Sequence, residues 1–176
     1  MSIRPIKDIK LNVRPIHIDF CHLYVYEGPC RFGQGDELRY EFDQAMNAEN
    51  FKRYIADIKA NVPAFVNVME PIEVQRTDDW RIPDEMLETM AQDYENVDFY
   101  LYADGARCGD VMLEFSLRYP KPCVCLSDCR GSTLINASLL SHGVECYPVQ
   151  GWEDLNHVLA AARVRKMLGQ LRVLTT

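Results

Sequence analysis

The run VDFYLYADG at residues 97–105 constrains the fold of this chain more than any other stretch. Its first seven residues are apolar on both faces apart from Asp98, and they lead directly into Asp104-Gly105. A strand with one face in water alternates polar and apolar residues. A strand that is apolar on both sides is covered on both sides, as in the middle of a parallel sheet flanked by helices.

The rest of the sequence supplies the pieces that such a sheet requires. Residues 16–26, IHIDFCHLYVY, are β-branched and aromatic and lie between Pro15 and Gly28-Pro29, which predicts a first strand. Residues 48–62 place Phe51, Tyr54, Ile55 and Ile58 at helical spacing, with Asn47 as the expected cap. A second strand begins at Phe65, and Pro71, having no amide donor, is expected to end its ladder or confine the remainder to an edge, with a polar loop over residues 75–81. Pro83, Asp84 and Glu85 open a second helix that runs to about Tyr94. Beyond the central strand come a short helix at 110–119, a strand CVCL at 123–126, and a helix at 134–142 closed by Gly143. A fifth strand follows at 144–149, then a long helix from Trp152 to about Leu168, and residues 171–175 are a candidate sixth strand.

This alternation predicts one α/β domain over residues 1–176, a flavodoxin-like or Rossmann-like three-layer parallel sheet of five to six strands. The chain ends as the candidate sixth strand begins, so the domain is expected to be either complete or the N-terminal domain of a longer protein. A net charge of -7 disfavours nucleic acid and anionic lipid as partners. The N-terminal stretch lacks a signal peptide's apolar core, and no run has the ~18 to 20 apolar residues of a membrane helix, so a cytoplasmic location is expected. Seven cysteines, an odd number with irregular spacing, argue for reduced thiols rather than a disulfide framework.

In open parallel sheets, ligands bind beyond the carboxyl ends of the strands, where loops and helix N-termini converge. Four segments fall at such ends: EGPCRFGQGDE, ADGARCGD, SDCRGST and VQGWED. In the first, Gly28, Gly33 and Gly35 permit close backbone approach, Arg31 offers a fork for a carboxylate or phosphate, and Glu27 offers a carboxylate for a hydroxyl. These glycines do not fit the dinucleotide fingerprint. Asp128 and Arg130 are further candidate substrate contacts. Asp104, Asp110 and Glu114 are the candidate catalytic carboxylates, the last two on one helix face one turn apart. Cys123 and Cys125 alternate along a strand and read as small core residues, with no C-x-x-C pair to hold a metal, whereas Cys30, Cys108 and Cys129 fall in neighbouring loops and are candidates for a cluster. His17 and His22, five positions apart on a strand, face opposite ways and so share no ligand set, and His17 reads as a packing residue.

EGPCRFG, VDFYLYADG, RYPKPCVCLSD and, above all, GVECYPVQGWEDLNHVLAAARVRKMLGQLRVL resemble the N-terminal domain of L-fucose/L-arabinose isomerase-like proteins. The likeness is one of pattern and extends from about residue 16 to the end. It implies aldose–ketose isomerisation with a divalent metal, usually manganese, whose Glu, Asp and His ligands come from later domains. It therefore implies no metal or other cofactor within this chain, and a sugar-contacting or oligomerising role with Glu27 and Arg31 foremost. A homo-oligomer is the form such a surface would serve. The segment from residue 97 to 126 also resembles nucleoside 2-deoxyribosyltransferase-like enzymes, which act on N-glycosidic bonds: Asp104, Glu114 and Lys121-Pro122 occur in that family's order, but Gly109-Asp110 stands where it has Asp-x-Gly-Thr. A non-catalytic module holding a sugar or nucleoside in the same pocket is the third expectation.

Overall fold

The structure is a computed structural model that describes residues 8–21, 40–77, 79–103, 108–126 and 131–170; for 40–43 and 131–133 only the helical backbone is described. β1 (Leu11–Cys21) occupies the middle of the sheet and is covered on both faces, so that all but two of its residues are buried. On one side it pairs in parallel with β2 (Val66–Val68) and then with β3 (Ile72–Thr77). On the other side lies β4 (Phe99–Ala103), which is wholly buried, followed by β5 (Cys123–Leu126). The sheet is thus five-stranded and parallel, in the order β2-β1-β4-β5 with β3 extending the β2 edge. Taking β2 and β3 as one interrupted strand, this is the start of the flavodoxin-like order.

Helices cover both faces. α1 (Tyr40–Asn61) and α5 (Trp152–Gly169) pack Ile58, Leu155 and Leu159 against Leu11, Val13, Phe99, Leu101 and Val124. On the opposite face α2 (Asp84–Met90), α3 (Gly109–Arg118) and α4 (Gly131–Ser141) bring Leu87, Met90, Phe115 and Leu139 onto Ile16, Ile18, Tyr100 and Tyr102. Asp98, the exception in the apolar central run, lies just outside β4, accepting hydrogen bonds from the Asn12 amide at 2.7 Å and from Lys166 Nζ at 2.6 Å. Gly143 takes φ +78 after α4, the left-handed turn expected of it. No helix among the described residues is long and apolar enough to cross a membrane.

Several boundaries differ from the sequence reading. β1 starts five residues before Ile16 and runs through Pro15. Leu11 N donates to Phe65 O and Val13 O accepts from Met69 N, so odd-numbered β1 residues direct their backbone groups toward β2 and β3. The amide that Pro15 lacks therefore faces residues 69–71, where Pro71 interrupts the neighbouring strand. The Glu70 carbonyl at this break is taken by the Arg14 guanidinium at 2.5 Å. Pro71 thus interrupts the edge strand without ending it, and residues 75–77, expected in a loop, continue β3. α1 begins well before Asn47, which is buried inside the helix and donates its side-chain amide to the Phe20 carbonyl at 3.1 Å instead of capping. The fifth strand shrinks to a bridge between Cys123 and Cys146, in which Cys123 N donates to Glu145 O at 2.9 Å and Tyr147 N to Cys123 O at 3.0 Å. A short 3-10 turn, Tyr94–Asn96, follows α2 where a longer helix was expected. Residues 22–26 and the candidate sixth strand lie outside the described residues.

Candidate functional site

Alternation along β1 sends Ile16, Ile18 and Phe20 to the α2–α4 face and His17, Asp19 and Cys21 to the α1 face. Two strand residues with ionisable side chains consequently end up under a helix, with His17 only 4% and Asp19 only 8% exposed. Parallel register places Glu73 beside His17 and Gln75 beside Asp19. The three ionisable side chains converge: one ligand-capable atom from each of His17, Asp19 and Glu73 lies within 4.8 Å of the others.

The imidazole is held from above by α1, with the rings of Phe51 and Tyr54 centred 5.4 and 6.0 Å from it. Tyr54 is itself anchored by donating its hydroxyl to the Leu101 carbonyl at 2.9 Å. His17 Nδ1 approaches Asp19 Oδ1 to 2.6 Å, yet neither atom has an aligned hydrogen-bond partner among the described residues. Burying such groups without satisfying them is costly. Glu73 lies at the open side, where partial burial first, and then the adjoining Asp19 carboxyl, push its own carboxyl above the usual range; His17 pulls weakly the other way. A cleft of about 340 Å³ opens here, lined by Asp19, Cys21, Gln44, Ala48, Glu73, Val74 and Gln75. It lies at the carboxyl-terminal half of β1 and beside Glu73 to Gln75 of β3, toward the end where open parallel sheets hold ligands.

The residues singled out by sequence fall differently. Asp110 begins α3 and forms an ion pair with the guanidinium of Arg76, which is 1% exposed. Glu114, one turn on, pairs with Arg118 at 3.2 Å, and Arg118 also reaches Asp84 at 2.6 Å. The two carboxylates are therefore engaged by different arginines on the α2–α4 side of the sheet. Cys108 is buried with its thiol 3.7 Å from the Ile18 carbonyl. Cys123 and Cys125 are buried in β5 as expected, and hydrogen bonding to Cys146 together with burial keeps the Cys123 thiol protonated. Glu27, Cys30, Arg31, Asp104, Asp128, Cys129 and Arg130 lie outside the described residues.

Sequence reading treated His17 as packing. The signal that would have found it is the i, i+2 pair His17-Asp19 set between isoleucines: in a covered strand such a polar pair has to be enclosed with a partner. Glu73 carries no signal of its own, because only the register of β3 against β1 brings it near. Searches against family models, curated proteins and solved structures give no match to this chain.

Proposed function

We propose that this chain is the small-ligand-binding N-terminal domain of a sugar isomerase-like protein, and that its cleft over β1 and β3 receives a polyhydroxylated ligand. The observation that carries this reading is the lining of that cleft. Asp19, Glu73, Gln44 and Gln75 together present carboxylates and carboxamides at the carboxyl end of a parallel sheet. Such groups accept from and donate to vicinal hydroxyls, while Val74 and Ala48 offer apolar surface to the C–H faces of a sugar ring. The volume suits a single monosaccharide rather than a dinucleotide. The sequence likeness to the N-terminal domain of fucose/arabinose isomerase-like proteins supports the same class of ligand, and no step of isomerisation is assigned to residues of this chain.

The test is a melting-temperature screen of the 176-residue chain against pentoses, 6-deoxyhexoses and 2-deoxynucleosides. An aldose or ketose is expected to raise the midpoint in a saturable way, with Gln75→Ala removing the shift. Release of free base from a deoxynucleoside, abolished by Glu114→Gln, would replace this reading with the N-glycosidic one.

A further inference from the structure

We propose that His17, Asp19 and Glu73 form a binding site for a divalent first-row transition-metal cation. Three features of the molecule carry this. The donor set is one imidazole and two carboxylates, a combination suited to Mn²⁺, Fe²⁺ or Zn²⁺, with a net charge of minus two when the imidazole is neutral. The donors are already gathered, with an atom from each within 4.8 Å of the others. Finally, His17 Nδ1 and Asp19 Oδ1 are buried and lie 2.6 Å apart without an aligned hydrogen bond, and among the described residues neither has another hydrogen-bond partner, so with Nδ1 unprotonated both present lone pairs to a cation.

The surroundings favour a cation over a plain ion pair. His17 is braced by the rings of Phe51 and Tyr54, which restrict the directions its nitrogens can take. Asp19 and Glu73 crowd each other's negative charge, and a dication between them would turn that repulsion into attraction. Glu73 stands at the mouth of the cleft, so the outer coordination positions open onto space large enough for water or a ligand hydroxyl. Metal–ligand distances of about 2.1 Å at a right angle set neighbouring donors about 3 Å apart, so a bound cation would separate the His17 and Asp19 atoms slightly. The cation site stands on its own donor set and holds or fails whether or not a sugar enters the cleft.

Mn²⁺ alone is the appropriate probe, because it prefers oxygen and nitrogen to the chain's seven thiols. Titration of the 176-residue chain, followed by loss of the free-ion electron paramagnetic resonance signal, is expected to show one Mn²⁺ per chain. Glu73→Gln should weaken binding by roughly tenfold or more, whereas Glu70→Gln, which removes an equal charge from the same edge, should leave it unchanged. Because Asp19→Asn disturbs a buried position, paramagnetic broadening of amide resonances provides a second readout that needs no variant. It should centre on residues 17–19 and 73. Absence of binding, equal loss in Glu70→Gln and Glu73→Gln, or broadening centred elsewhere would each overturn the site. A positive Mn²⁺ titration with no sugar-dependent melting would instead leave the site standing and remove the sugar reading.

Discussion

The two faces of the β3–β1 pair each bury charge-bearing groups and treat them in opposite ways. On the α2–α4 face, Arg76 is enclosed by partners: the Asp110 carboxylate, the Arg81 carbonyl at 2.7 Å and the ring of Trp80, 5.5 Å from the guanidinium carbon. On the α1 face, three ionisable groups converge with no cation among them unless His17 takes up a proton. A single unpaired atom does not separate the two, since among the described residues Arg76 Nε also has no hydrogen-bond partner. The difference lies in what surrounds the charge. Arg76 is a cation set against a carboxylate, a carbonyl and an aromatic ring, whereas His17, Asp19 and Glu73 are acceptors gathered beside a cleft. The Arg76–Asp110 pair ties α3 to the sheet, whereas the acceptors on the α1 face gain a counter-charge only from a proton or from the proposed cation.

That contrast makes predictions of decreasing size. Asp110→Ala strands the buried Arg76 cation and is expected to cost about 2 to 3 kcal/mol in denaturant unfolding, at the low side for a broken buried pair because Asp110 is half-exposed to water. A loss below about 0.5 kcal/mol would mean that Arg76 is satisfied without it. Glu73→Gln acts in the other direction, stabilising the metal-free chain by less than about 1 kcal/mol at neutral pH, since solvent screens a carboxylate at the cleft mouth. The sign follows from the raised carboxyl: the fold favours protonated Glu73, so that contribution is full in acid and lost as pH rises through the folded value. Glutamine mimics the protonated form, so the gap between variant and parent should open as pH rises and close in acid. Smallest is the effect of Asp19→Asn on Glu73: removing the neighbouring charge should lower the Glu73 titration midpoint, read by carboxyl carbon NMR, without abolishing the part due to burial. An unchanged midpoint would show that the two carboxyls do not sense each other.

Much of the architecture is legible in the residues. The doubly apolar run into Ala103, the amphipathic spacing of Leu155, Val158 and Leu159, and the glycine after α4 each carry a local signal that survives into the fold. Two of the misread boundaries share a cause: each depends on a partner distant in sequence. Pro15 is tolerated within β1 because Pro71 breaks the adjoining strand opposite it, and Asn47 serves a strand-end carbonyl in preference to its own helix.

The candidate site divides along the same line. Composition and periodicity determined that parallel strands alternate with helices and that loops follow their carboxyl ends, because burial on both faces leaves a distinct pattern in each strand. Only the tertiary structure decided which charged residues meet. Register set Glu73 against His17, strand alternation put Asp19 on the same side, and the packing of α1 closed water away from two of the three. The same packing gave Asp110 to Arg76 and Glu114 to Arg118. A carboxylate's role is set by the charge it faces, and that charge belongs to another part of the chain.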